Sequence, residues 1–185
     1  MGRSIGRVPL RRLESIVPVI RGRDPAAPDE FDTFVVQPLA GSLVALYAFD
    51  HGDAFHVVTL ADLDALGVDR AALAAAALDN LIDRMGYLEI LERPDGCGML
   101  RFDGSLEASA LLVTQLWRDI AGILGDEVLV AVPTLDTVLF CAAGAMRNRR
   151  ALVAARDRAI AVSKRALTAD LLRFDDACIW QVDAS

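Results

Sequence analysis

The longest apolar stretch of the chain, residues 128–144 (VLVAVPTLDTVLFCAAG), is β-branched at Val128, Val130, Val132, Thr137 and Val138 and is broken by Pro133 and Asp136. Proline removes a ladder donor and aspartate favours turns, so the pattern predicts two buried strands joined by a short turn. Helical patterns flank it at residues 105–124 and 147–167, so the core must close here.

Earlier in the chain, residues 33–37, 43–49 and 54–58 alternate as three strands in meander, with turns at Ala40–Gly41–Ser42 and His51–Gly52–Asp53. Thr59 followed by Asp62 is a capping box for a short helix that ends at Gly67. Asp69 caps a second helix to Met85, with Leu73, Ala77, Leu78, Leu81, Ile82 and Met85 along one face and Gly86 as its stop. Residues 87–92 and 99–102 form a hairpin around Pro94–Asp95–Gly96. Ser105 caps a third helix whose buried stripe is Leu112, Leu116, Ile120 and Ile123 and which Gly125 ends. A basic helix from Arg147 follows, held by Leu152, Val153, Ile160 and Leu167, and residues 177–182 form a last strand. Hairpins joined by helices imply an α+β fold, an antiparallel or mixed sheet of hairpins with three to four helices packed on it.

At the N-terminus, Pro9 and Pro18 confine any helix to about residues 10–17, and Pro25 and Pro28 mark a linker. The expected division is a basic N-terminal arm and Pro-containing linker over 1–32 and a single α+β domain over 33–185. No apolar run reaches the roughly 18 residues that span a bilayer. Residues 13–20 are interrupted by Glu14, Ser15 and Pro18, so no secretory apolar region is expected. The expected location is the cytoplasm, with no membrane contact. Three cysteines without a CxxC pair fit reduced cytosolic thiols. Cys141 and Cys178 read as core residues, and Cys97, between two glycines at a hairpin tip, as the exposed and fastest-reacting thiol. Among 19 basic residues only Lys164 is lysine, which with the alanine content matches a GC-rich bacterial genome.

Charge is segregated beneath the net −7. Residues 1–23 hold six arginines against Glu14, and residues 147–165 hold six arginines and Lys164 against Asp157. Residues 24–146 hold twenty acids against five arginines. The basic helix is therefore expected to meet an acidic surface, of this chain, of a second copy in a homodimer, or of a protein partner. Arg147, Arg149, Arg150 and Arg156, with Asp136 at the core turn, are the candidate partner-binding residues. The same helix, 147–165, is the one candidate nucleic-acid element, disfavoured by the acidic body and an aromatic content of 6%.

Asp50, His51, Asp53 and His56 are the only cluster of metal-ligand types, and a metal-dependent enzyme would be built there. A polar hairpin turn explains the same residues, with His56 alternating away from the rest. Asp79 and Asn80 read as an exposed helix face, and Glu107 as an acid favoured by a helix N-terminus. No GxSxG, P-loop or GxGxxG occurs, and no catalytic residue or cofactor is expected.

Six segments in order, IVPVIR (16–21), LVALYAFD (43–50), TLADLDALGV (59–68), AALDNL (76–81), EASALL (107–112) and VAVPTLDTVLF (130–140), resemble the YtpQ-like family of bacterial proteins of unknown function. The likeness runs over roughly residues 15–182. Leu135 stands where that family is expected to carry a basic residue between the Pro and the Asp of the core turn. The resemblance implies no activity, cofactor or catalytic residue. The function expected on all these grounds is a non-catalytic partner-binding or regulatory module of the bacterial cytosol.

Overall fold

The structure, a computed structural model, describes residues 13–24, 26–27, 29–52, 54–175 and 180–183. In chain order it contains β1 (Ile16–Gly22), β2 (Val36–Pro38), β3 (Leu43–Asp50), β4 (Phe55–Val57), α1 (Leu60–Leu66), α2 (Arg70–Arg84), β5 (Glu89–Glu92), β6 (Gly98–Arg101), α3 (Thr114–Leu124), β7 (Val128–Thr134), β8 (Thr137–Ala142), α4 (Met146–Val162), β9 (Leu171–Phe174) and β10 (Trp180–Val182). The fold is α+β, and every strand pairing among the described residues is antiparallel. The hairpins divide between two sheets: β1-β3-β2 with β4 also on β3, and β10-β9-β7-β8-β6-β5.

Residues 16–22, expected within the arm, are instead β1, paired with β3 over its whole length from Ile16↔Phe49 to Gly22↔Leu43. Ile16, Val17, Val19 and Ile20 are each at most 2% exposed. The strand tolerates Pro18 because it lies at a sheet edge, where no ladder donor is needed. Residues 13–15 form only a single 3₁₀ turn, so the helix expected over 10–17 does not extend into the strand. The rest of the expected arm, 1–12, and the linker prolines Pro25 and Pro28 lie outside the described residues.

Local chemistry sets the helix ends. Thr59 accepts from Asp62 N–H while the Asp62 carboxylate accepts from Thr59 N–H, and Gly67 closes α1 in the left-handed region at φ 67°. Asp69 caps α2 through Ala72 N–H. That helix does not stop at Gly86 but tightens into a 3₁₀ turn, Met85–Tyr87. The third helix also differs from expectation. Residues 107–112 are a 3₁₀ segment, and Val113 leaves helical geometry (φ −89°, ψ 80°) before α3 begins. The break rotates the helix, so Trp117 and Ile120 face the core and Ile123 is 78% exposed.

The six-stranded sheet is covered on both faces. Val128, Val130, Val132, Val138 and Phe140 join Trp117, Ile120 and the first sheet in one apolar cluster. Leu129, Ala131, Leu139 and Cys141 point the other way, under Leu152 and Ala155 of α4. This alternation is the period-2 geometry of a strand. Pro133 is accommodated at a bulge between Ala131 and Thr134, beyond the part of β7 that β9 pairs with. No helix of the described residues is long and apolar enough to cross a membrane.

Candidate binding cleft at the Asp136 turn

The β7–β8 turn is only two residues long, Leu135 and Asp136, closed by Thr134↔Thr137. Asp136 Oδ1 accepts from Thr134 Oγ (2.6 Å) and Thr137 Oγ (3.3 Å), which fixes its carboxylate over the turn. Leu135 O accepts from Ala108 N–H at 2.9 Å, and Pro133 O accepts from Leu167 N–H at 2.8 Å. These two bonds bring the 103–108 loop and the segment after α4 to either side of the turn. Between them lies a cleft of about 500 Å³, lined by Phe55, Leu135, Asp136, Thr137, Val162, Ser163 and Arg165 among others. Its lining mixes apolar side chains with the polar groups of Ser105, Thr134, Asp136, Thr137, Ser163 and Arg165.

Glu107 holds the loop beside this cleft. It is 1% exposed, and its Oε1 accepts from the N–H groups of Phe102 (3.2 Å), Asp103 (3.1 Å) and Gly104 (2.6 Å). Gly104 permits the turn with φ 86°. The other oxygen, Oε2, is buried with no hydrogen-bond partner among the described residues. Glu107 is thus an internal loop anchor and not an exposed acid at a helix start. The signal was DGS followed by Glu, a turn with a carboxylate within reach.

At the cleft rim Arg165 is exposed. Arg21, half-buried at the end of β1, has its pKa held below the ordinary arginine value by burial first and by the positive charge of Arg165 second. Gly22 lets the segment after α4 approach, because a Cβ there would collide with Leu167 O. Cationic charge therefore gathers near the turn from two separate elements, Arg21 of β1 and Arg165 after α4.

The candidate arginines of α4 separate by face. Arg149 pairs with Asp183, whose side chain is 3% exposed. Arg173 bonds the same carboxylate (2.6 Å) and also Glu127 (2.7 Å), and these hydrogen bonds, Asp183 first, raise its pKa. Arg156 donates to Ala169 O (2.6 Å) and pairs with Asp157 (2.8 Å). Arg149 and Arg156, expected to contact a partner, are therefore internal fastenings of the helix. Arg147, Arg150 and Arg158 lie on the opposite, exposed face and, with Lys164 and Arg165, have no acidic partner among the described residues. Of the apolar residues expected to hold the helix, Leu152 is buried, Val153 and Ile160 are half-buried, and Leu167 falls beyond the helix end.

The metal-ligand cluster is not assembled among the described residues, and Asp53 lies outside them. Asp50 accepts from Gly52 N–H at 2.7 Å and pairs with Arg84. His51 stacks on Phe49 with ring centroids 6.5 Å apart. His56 stands opposite Phe49 in β4, one position out of step with Asp50, so the two side chains leave opposite faces. Asn80 is not merely on a helix face: its amide donates to Leu13 O (2.7 Å) and Ile16 O (2.8 Å), fixing the start of β1. Cys97 is 1% exposed, turned inward under α4. Cys178 lies outside the described residues.

Comparison with protein-family models, with curated proteins and with solved structures gives no match for this chain.

Proposed function

We propose that this chain is a non-catalytic partner-binding module of the bacterial cytosol, YtpQ-like in its sequence, that takes an acidic segment of a protein partner. The segment lies along the exposed face of α4 and reaches the cleft at Asp136. One observation carries the reading. Arg147, Arg150 and Arg158 stand on one exposed helix face and lead to Lys164 and Arg165 without an acidic partner among the described residues, while Arg149 and Arg156 tie down the opposite face. A rigid helix that presents unpaired cations steers and orients a negatively charged ligand. The carboxylates around the cleft are engaged locally, Asp136 on two threonines and Glu107 on three N–H groups, which supports recognition over chemistry. Two free thiols, Cys97 and Cys141, support a reducing compartment.

The test is binding of a fluorescent polyglutamate peptide at low salt, with the doubly substituted chain Arg150→Glu/Arg158→Glu as comparison. Two exposed ion pairs of up to ~1 kcal/mol each predict binding weaker by up to about thirtyfold, and salt should weaken the unsubstituted chain likewise. Equal binding by both chains sinks the proposal, as does tighter binding of single-stranded DNA or RNA than of the peptide.

A further inference from the structure

The register of β6 on β8 sets Gly98 opposite Phe140 and Met99 opposite Leu139. Carried one residue on, the same register sets Cys97 opposite Cys141. Cys97 O accepts from Arg93 N–H at 2.9 Å, and Cys97 N–H donates to Asp95 Oδ1 at 3.2 Å. Both main-chain groups of Cys97 thus point toward the β5 side, and neither joins β8. Cys97 and Cys141 therefore face each other as a non-hydrogen-bonded pair. In such pairs the Cα atoms are about 4.5 Å apart, within the ~4.4–6.8 Å that a disulfide spans. Both thiols are free and buried in the same apolar cluster beneath α4.

We propose that Cys97 and Cys141 are an oxidation site, converted by a low-molecular-weight disulfide such as oxidised glutathione into a cross-strand disulfide. The Cys97 thiol loses its proton, and its sulfur attacks one sulfur of the oxidant. The oxidant's S–S bond breaks, and the expelled thiolate takes up a proton. The Cys141 thiolate then attacks Cys97 Sγ, which forms the protein disulfide and releases the second thiolate to be protonated in turn. Two cysteine thiols are oxidised and one small disulfide is reduced to two thiols.

Cys97 reacts first, as the attacking sulfur, because it adjoins the exposed hairpin tip, where Pro94 and Gly96 face solvent. Asn148 latches that tip to α4: its side-chain amide donates to Gly96 O (3.0 Å), and its carbonyl accepts from Cys97 Sγ (3.4 Å). Burial pushes the Cys97 thiol up to about 11, with Asp95 adding to the rise and Arg93 opposing it. Burial also pushes Cys141 up to about 12, where Cys97 and Asp126 raise it and Arg149 lowers it. Both groups are protonated at neutral pH, so oxidation is slow there. It quickens about tenfold per pH unit below the Cys97 value, as the thiolate fraction grows.

The experiment uses the full chain carrying Cys178→Ser, incubated with oxidised glutathione at pH 8.5 under native conditions. Intact mass should fall by two hydrogens, both thiols should resist alkylation, and a digest should contain one peptide pair joined at Cys97 and Cys141. Asn148→Ala should speed this by up to about tenfold, its side-chain hydrogen bond to Gly96 O being lost while the main-chain carbonyl that accepts from Cys97 Sγ stays. Persistent glutathione adducts overturn the proposal. So do two alkylatable thiols that survive while the same chain, unfolded in urea, is oxidised.

Discussion

Glu107 binds three main-chain N–H groups through a single carboxylate oxygen, within a loop that borders the cleft. Glu107→Ala would strand those donors in a buried site, at a cost of about 1–3 kcal/mol for the group. Glu107→Gln keeps an acceptor oxygen in place and should cost less. Chemical denaturation of both variants checks the order, and an alanine variant within ~0.5 kcal/mol of the parent refutes the anchor. The residue was visible in the sequence as an acid after a DGS turn, but its burial was not. Helix-start position alone explains an acid through the dipole, and nothing local distinguishes that from an inward-facing anchor.

At the scale of the element, α4 is held as much by ion pairing as by apolar contact. Leu152 and Ala155 are its buried residues, whereas Ile160 is only half-buried. Arg149 pairs with a carboxylate that is 3% exposed. Reversing that charge sets a second acid beside Asp183, and because Arg173 still bonds that carboxylate the cost stays below the about 3–5 kcal/mol of a fully broken buried pair. Arg149→Glu is therefore expected to lower the denaturation midpoint more than Ile160→Asp, and high salt should not restore it, because the pair is screened little. The reverse order would mean that apolar burial alone seats the helix. Its amphipathic pattern was legible, since helical spacing is local. Which of the seven cations of 147–165 turned inward was not, because the acceptors beyond the helix, Asp183 for Arg149 and Ala169 O for Arg156, come from later in the chain.

At the scale of the whole molecule, β1 joins the two sheets. Its Val17, Val19 and Ile20 share one apolar cluster with Val128, Val130 and Trp117, and Pro18 O accepts from Ser109 Oγ at 2.7 Å. A chain that starts at residue 33, at the boundary suggested by the prolines, loses this strand. Four buried side chains at ~1.5–3 kcal/mol each come to about 6–12 kcal/mol, comparable with the ~5–15 kcal/mol of a whole domain. The truncated chain is expected to lose the near-ultraviolet circular dichroism of its buried Trp117. A cooperative thermal transition at the parent midpoint would show that β1 is an appendage.

The sequence by itself determined what depends on neighbours within a few residues. The β-branched alternation of 128–142 makes two strands, Thr59 with Asp62 and Asp69 alone start helices, and Gly67 and Gly125 end them in the left-handed region. Strands in hairpins interleaved with helices then imply the α+β class. Tertiary structure alone decided what depends on partners far along the chain. Residues 16–22 carry a proline and precede a Pro-rich segment, so they resemble a linker. They become a strand because β3 pairs with them, and Asn80 and Ser109, 64 and 91 residues away, bond their carbonyls. Cys97 sits in a glycine-flanked tip that looks exposed, and α4, some fifty residues on, buries it. The division into two sheets, the rotation of α3 at Val113 and the cleft at Asp136 belong to the same class. Each is selected by apolar burial and hydrogen-bond pairing between distant segments, which no local window contains.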